Sequence, residues 1–211
     1  MSQAPSPRII GLTGGIGMGK TTVSEYLAKT YQLPILDADI YAREAVQPGA
    51  IVLEAIANRY QSKILLPDGT LDRRQLGAII FTQPSERTWL NEQIHPYVRQ
   101  ALSRDRDRLI QETHQTIVMV IPLLFEAQMT DLVTETWVVS CSPEQQIQRL
   151  VQRESLSLEQ ATVRINSQMA IAEKRDRADV VLGNSTLESL LEQVDRAIQP
   201  PFSPKSPKSD G

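Results

Sequence analysis

Five short apolar runs lie along the chain, and most are apolar at consecutive positions rather than at alternating ones. That pattern is typical of strands buried on both faces of a parallel sheet. Polar stretches with helical features separate the runs, and strands that alternate with helices predict a doubly wound α/β fold. The predicted strands cover residues 8–12, 33–36, 116–121, 135–140 and 179–182.

Three of the predicted helices begin with the spacing of a capping box, in which a serine is followed three residues later by Glu or Gln. These serines are Ser142, Ser157 and Ser185. Pro143 strengthens the first signal, because proline fits the first position of a helix. We therefore expect each of the three serines to be a helix N-cap.

Two stretches are too long to be simple connections between strands. Residues 42–113 contain no strong strand and indicate several helices, including a long one at about 85–112, whereas residues 150–175 are polar, helical and rich in arginine. We expect both to be inserts above the carboxyl edge of the sheet, where such folds bind ligands. The predicted division is a tail of 1–7, a core of 8–41, 114–149 and 176–199, inserts of 42–113 and 150–175, and a tail of 200–211.

Composition narrows the class of protein. The chain has 211 residues, 41% of them hydrophobic, and a net charge of −3, which argues against a nucleic-acid partner. The longest apolar run, residues 117–125, is too short to cross a bilayer, and the N-terminus lacks a signal-peptide stretch. Cys141 is the single cysteine, so no intrachain disulfide can form, and we expect it to be a buried apolar residue. The expectation is a soluble cytoplasmic protein without a membrane partner.

A glycine-rich run follows the first predicted strand and leads into a helix at about Lys20. It matches G-x-x-x-x-G-K-[ST] from Gly14 to Thr21, in the strand–loop–helix context of a phosphate-binding loop. Backbone N–H groups and the helix dipole would hold phosphates, Lys20 would reach the β- and γ-phosphates, and the Thr21 hydroxyl would ligate Mg²⁺. The predicted ATP-binding residues are Gly15, Ile16, Gly17, Met18, Gly19, Lys20, Thr21, Thr22, Arg149 and Arg153.

The loop alone does not distinguish a kinase from a GTPase or an ATPase. The sequence has no N-K-x-D motif for guanine and no L-S-G-G-Q motif. A small kinase needs an acceptor-side base and cations around the transferring phosphoryl. The second strand leads into Asp37 and Asp39, which would share a face if extended. Asp39 could be the base, while Asp37 could support Mg²⁺ or cap the next helix.

Arginines supply the candidate cations. Arg149 and Arg153 stand four residues apart on one predicted helix face, and Arg164 and Lys174-Arg175 follow. The planar guanidinium fork suits phosphate oxygens, although a solvated charged face is the alternative. Lys20, Asp39 and Arg149 are the candidate catalytic residues. His95 is as compatible with a structural role as with a ligand contact, His114 is expected at the surface, and no His/Cys metal cluster or nucleophilic triad is present.

Several further segments form an ordered set with the phosphate-binding loop. The set comprises 11–22, 37–39 with Ala42-Arg43, 68–73, 89–91 before His95-Pro96, 122–126 and 149–153. Together these motifs resemble dephospho-CoA kinase over about residues 8–198. Met18 stands where the family usually has serine, and we expect little effect because only its backbone N–H is needed. The segment 183–185 matches the family's late asparagine-containing loop only loosely.

This resemblance implies a P-loop kinase that uses Mg²⁺ and ATP to phosphorylate the ribose 3′-hydroxyl of dephospho-CoA, the last step of coenzyme A synthesis. It implies that 42–113 binds the acceptor, that 150–175 is a lid, that Asp39 is the base and that Arg149 contacts phosphate. We expect a monomer. The alternatives are another small kinase, acting on a nucleoside, nucleotide or shikimate-like hydroxyl, and a nucleotide-dependent switch protein. The implied substrate-binding residues are Thr13, Asp39, Arg43, His95, Pro122, Leu123, Leu124 and Phe125.

Overall fold

The structure is a computed structural model, and it describes residues 6–112 and 115–199. The predicted C-terminal tail, most of the N-terminal tail and His114 lie outside the described residues. Within the described ranges, no helix is both long enough and apolar enough to cross a membrane.

A five-stranded sheet forms the centre of the fold, in the order β2-β3-β1-β4-β5. β1 lies between two parallel neighbours, with Arg8 opposite Thr116 of β3 and Ile10 opposite Glu135 of β4. The predicted α/β class, with a parallel sheet flanked by helices, is confirmed. The strands are β1 (Arg8–Gly14), β2 (Ile35–Asp37), β3 (Thr116–Val120), β4 (Glu135–Ser140) and β5 (Val180–Gly183).

Nine helices are seen within the described ranges. Short 3-10 turns at Ser62–Ile64 and Thr130–Leu132 complete the regular structure there. The helices are α1 (Lys20–Tyr31), α2 (Ala38–Glu44), α3 (Ile51–Tyr60), α4 (Arg73–Thr82), α5 (Pro84–Gln111), α6 (Pro143–Glu154), α7 (Leu158–Asn166), α8 (Ile171–Arg177) and α9 (Leu187–Ile198).

Two of the three predicted serine caps are confirmed. Ser142 caps α6, and Ser157 forms a complete capping box at the start of α7. The third prediction is wrong by one residue, because α9 begins at Leu187 and its N-cap is Thr186, whose hydroxyl accepts the Ser189 N–H. Ser185 stays in the link from β5, where its carbonyl oxygen accepts from Gln145.

The contacts divide the chain into two compact units. The sheet unit comprises the described residues up to Leu36 and those from Arg108 onward, and the helical unit is Asp37–Asp107. The helical unit begins earlier than residue 42 because α2 follows β2 without a loop. α6 continues past residue 150 to Glu154, and α8 continues past 175 to Arg177.

Each unit has its own apolar core. In the sheet unit, α1 and α9 pack on one face of the sheet, where Leu27 and Leu190 are completely buried against Leu12 and Trp137. In the helical unit, α3, α4 and α5 surround a second core. The buried members of that core include Val52, Leu53, Ile56, Leu76 and Leu90. Complete burial of such a side chain typically stabilises a fold by about 1.5–3 kcal/mol.

Candidate functional site

Glycines shape the loop between β1 and α1. Gly14, Gly17 and Gly19 have φ angles of 146°, 75° and 102°, which side chains rarely permit. A Cβ on Gly14 would lie 2.3 Å from the Val139 carbonyl oxygen, and one on Gly19 would lie 2.1 Å from Asn184 Nδ2. The loop therefore keeps its shape only with glycine at these two positions.

Lys20 places a cation at this loop. Its Nζ donates to the Gly14 carbonyl at 2.9 Å and to the Gly15 carbonyl at 3.0 Å. Thr21 is exposed and Thr22 half-buried on the first turn of α1. A lysine, an exposed hydroxyl and the positive end of a helix together make a phosphate-binding arrangement.

Side chains from distant parts of the sheet unit form hydrogen bonds with the backbone of the same loop. Gln146 of α6 donates from Nε2 to the Ile16 carbonyl at 2.8 Å, and the Ile16 N–H donates to Gln168 Oε1 at 2.9 Å. Asn184 donates from Nδ2 to the Met18 carbonyl at 2.9 Å. The Met18 side chain itself is only 1% exposed, so it packs inward.

Arg149 reaches the same region from α6. Its Nη2 donates to the carbonyl oxygen of Asn184 at 3.2 Å and to Oδ1 of that residue at 3.4 Å. Asn184 follows β5 and also bonds to Ser140 and Met18. Asn184 thus joins the arginine to the phosphate loop, which places a guanidinium at the carboxyl end of the sheet.

Cys141 follows β4 and is half-buried rather than fully buried as expected. Burial raises the pKa of its thiol, and the nearby Arg149 offsets only part of that effect. The thiol is therefore neutral at physiological pH, as an inert side chain would be.

The other predicted cations differ in their exposure and in their ion-pair partners. Arg153 is exposed and pairs with Glu154 at the end of α6, and Glu154 also pairs with Arg164 of α7. Arg175 is exposed on α8, whereas its neighbour Lys174 is completely buried. Glu154 therefore ties α6 to α7.

Thr13 and residues 122–125 meet at the ends of β1 and β3. Thr13 is completely buried, and its hydroxyl donates to the Pro122 carbonyl oxygen at 3.1 Å. Leu124 and Phe125 are buried, while Pro122 and Leu123 are half-buried. Of these predicted acceptor contacts, Pro122 and Leu123 offer the most accessible surface.

Asp37 and Asp39 would share a face only on an extended backbone, and the backbone is not extended as far as Asp39. β2 ends at Asp37, and Asp39 already lies in the first turn of α2. Asp37 is the N-cap of this helix, and its Oδ1 accepts the Asp39 N–H at 2.8 Å. The capping alternative for Asp37 is therefore what the structure shows.

A groove of about 310 Å³ runs through the helical unit. Asp39 and Arg43, one turn apart on α2, lie on its polar side together with Arg73. His95 does not line it; that residue is half-buried on α5, and burial lowers its pKa, so its imidazole is neutral at pH 7. The remaining lining residues are largely apolar: Ala42, Val46, Leu71, Leu76, Gly77, Ile80, Leu90 and Ile94.

Three side chains that contact the phosphate loop were not predicted from the sequence: Gln146, Gln168 and Asn184. Gln146 lies three residues before Arg149 and thus on the same face of α6, a signal that could have identified it. Asn184 was noted only as a loose motif match. Gln168 lies in the link between α7 and α8, where no local pattern indicates a contact.

The chain matches the family model described as Dephospho-CoA kinase over residues 8–189. It belongs to the dephospho-CoA kinase family. A dephospho-CoA kinase of Trichormus variabilis is 59% identical over 192 residues, which cover 90% of this chain and 96% of that relative.

Two solved structures are similar in fold. The crystal structure of TT1252 from Thermus thermophilus has a TM-score of 0.78 and 34% identity, covering 92% of this chain and 97% of that one. A dephospho-CoA kinase from Campylobacter jejuni has a TM-score of 0.67 and 28% identity, covering 90% and 94%. The predictions of a P-loop kinase fold and of a dephospho-CoA kinase are confirmed by these matches.

Proposed function

We propose that this chain transfers the γ-phosphoryl group of ATP to the ribose 3′-hydroxyl of dephospho-CoA, giving coenzyme A and ADP. The observation that carries the proposal is the loop whose shape requires glycine and whose carbonyl oxygens accept hydrogen bonds from Lys20. The chain also belongs to the dephospho-CoA kinase family. Lys20 and the loop N–H groups bind the phosphates, and Arg149 stabilises charge on the transferring phosphoryl.

Magnesium fits this donor set. Mg²⁺ keeps several waters and takes few protein ligands beside the phosphates. The exposed Thr21 hydroxyl could be one such ligand, and the described residues contain no group of three or more acidic, His or Cys side chains that could hold a metal alone. When bound with ATP, Mg²⁺ supplies charge neutralisation on the phosphates. We propose Asp37 as a second candidate ligand of Mg²⁺, because only one of its carboxylate oxygens caps α2.

For the acceptor, we propose the groove of the helical unit. Dephospho-CoA carries a diphosphate and a long pantetheine arm, in which methyl and methylene groups separate two amides, and the groove has Arg43 and Arg73 beside apolar walls. Asp39, exposed on the same groove, would accept the proton of the ribose hydroxyl. His95, Thr13 and residues 122–125 stay as further proposed acceptor contacts.

We further propose that residues 42–113 close over the acceptor and residues 150–175 over ATP. Kinases must exclude water, because ATP hydrolysis otherwise competes with transfer. Hydrogen exchange in both segments should slow when both nucleotides bind. Unchanged exchange in 42–113 at saturating dephospho-CoA would place the acceptor elsewhere.

The function is tested by incubating the purified protein with Mg²⁺, ATP and one acceptor at a time. The acceptors are dephospho-CoA, adenosine, AMP and shikimate, and products are identified by mass spectrometry. We expect coenzyme A as the main product. Faster transfer to another acceptor would indicate a different small kinase, whereas tight ATP binding without any product would indicate a nucleotide switch.

We also propose that the enzyme acts as a monomer in the cytoplasm. A single cysteine fits a reducing compartment. Light scattering coupled to gel filtration of the active enzyme tests the monomeric state, because a measured mass of a dimer would contradict it.

A further inference from the structure

Lys174 is a completely buried lysine near the end of α8. Its Nζ lies 3.0 Å from the Pro122 carbonyl oxygen and 2.8 Å from Glu126 Oε1. A buried ion pair is weak evidence for stability, because apolar residues of similar volume often serve equally well. The pair is therefore better explained by the groups that it holds in place.

Glu126 and Pro122 each accept a second hydrogen bond. Glu126 Oε1 accepts the Met169 N–H at 3.0 Å, and the Pro122 carbonyl accepts the Thr13 hydroxyl at 3.1 Å. The residue before Met169 is Gln168, whose Oε1 accepts the Ile16 N–H of the phosphate loop at 2.9 Å. These bonds connect the end of β1, the turn after β3, the α7–α8 link and the phosphate loop.

The Glu126 carboxylate depends on this lysine. Its Oε2 is buried and has no hydrogen-bond partner among the described residues. Removing the ammonium would leave a largely buried negative charge with only the Met169 N–H to stabilise it. Glu126 would then move toward water and take the Gln168–Met169 link with it.

We propose that Lys174 and Glu126 are positioning residues, which hold Gln168 against the phosphate loop and the Pro122 carbonyl at the end of β3. We assign the pair an effect through these hydrogen bonds and not through contact with a substrate. Its contribution is the fixed geometry of the loop during transfer, where a displacement of about 1 Å can lower the rate by about 10²-fold. The kinetic part of this inference rests on the proposed function.

The test separates positioning from stability with Lys174→Met, Glu126→Leu and the double variant. Each single variant leaves one buried charge without its partner and should unfold at a lower temperature than wild type. The double variant removes both charges and should recover most of the wild-type Tm. If the pair positions the loop, the double variant still has a kcat at least about tenfold below wild type, with a smaller change in the KM for ATP. Lys29→Met, at an exposed lysine of α1, is the matched control and should retain wild-type kcat.

Amide exchange of Ile16 and Met169, followed by NMR, provides a readout that does not need turnover. We expect faster exchange at both amides in the double variant than in wild type or Lys29→Met. Wild-type kcat and wild-type exchange in a stable double variant would overturn the inference. If wild-type protein makes no coenzyme A, the proposed function fails, and the exchange rates still decide whether the pair holds the loop.

Discussion

The two units present their candidate residues in different ways. In the sheet unit, half-buried or fully buried polar side chains from α6, the α7–α8 link and the end of β5 bond to the phosphate loop. In the helical unit, Asp39, Arg43 and Arg73 are exposed side chains beside an open groove. Phosphates are small and demand fixed backbone geometry, whereas a long flexible acceptor can be recognised by helix surfaces. The sheet unit is therefore preorganised more strictly than the helical unit.

The largest effect is expected on the preorganised side. Lys20→Ala should lower turnover by about 10³-fold or more, because it removes the cation beside the transferring phosphoryl. The fold should survive, since Lys20 is half-buried at the start of α1 and is not part of the apolar core. Single-turnover transfer and thermal unfolding measure the two effects. Lys29→Ala on the same helix is the control, and a Lys20→Ala enzyme with near-normal turnover would contradict the assignment.

Asp39→Asn tests the chemistry of the helical unit. We expect turnover to fall by about 10²-fold or more, with ATP affinity nearly unchanged, because Asn keeps the shape but cannot take the hydroxyl proton. Asp37→Asn should have a milder effect unless Asp37 supports Mg²⁺, since Asn is an equally good N-cap. Transfer at the wild-type rate would remove Asp39 as the base. A large loss of Mg²⁺-ATP affinity would instead assign it to the metal.

Arg149→Ala should lower kcat by about tenfold to 10²-fold and change the acceptor KM less, because charge on the phosphoryl is greatest at the transition state. Arg149→Lys should restore only part of the rate, since an ammonium lacks the guanidinium fork. Arg153→Ala, at the exposed arginine one turn later, should have a weaker effect. Steady-state kinetics decide the matter: a change confined to KM would make Arg149 a binding residue only.

Gly77→Leu tests the groove without disturbing its walls. Among the described residues, a Cβ at Gly77 would meet only the Phe81 side chain, at 3.9 Å, so a larger side chain would project into the groove. We expect the KM for dephospho-CoA to rise by about tenfold, with unchanged ATP affinity and no loss of Tm. Ala78→Leu, at the exposed neighbouring position, should leave the KM unaltered. An unchanged KM in both variants would show that the acceptor binds elsewhere.

The smallest effect concerns the stability of the helical unit. Arg59 and Tyr60 donate hydrogen bonds to Glu86, which lowers the pKa of that carboxyl to about 2. This contribution is complete above about pH 5, where the unfolded state is also ionised, and it is lost as pH falls toward 2. Glu86→Gln should lower Tm by about 2 °C or less at pH 7. Melting curves at pH 7 and pH 3 should show a smaller Tm difference between wild type and Glu86→Gln at pH 3. An equal Tm difference at both pH values would contradict the stabilising role of the Glu86 carboxylate.

Local patterns predicted much of the fold and part of the site. Consecutive apolar residues located all five strands within two residues at each end, and the glycine spacing located the loop, because both signals are set by neighbours in the chain. The contact of Gln168 with Ile16 joins distant residues, so no local pattern contains it. Asp37 and Asp39 do not share an extended face, because β2 ends at Asp37, two residues before Asp39.

The helical unit is continuous in sequence, whereas the sheet unit is not. β1 must pair with β3 across the whole helical unit, with Arg8 opposite Thr116. A helical segment with its own core has local contacts and folds quickly, while pairing of distant strands is slow. During synthesis the helical unit is complete before β3 emerges, so it can order first and shorten the span of disordered chain that β1 and β3 must close. The helical unit would thereby assist the folding of the sheet unit.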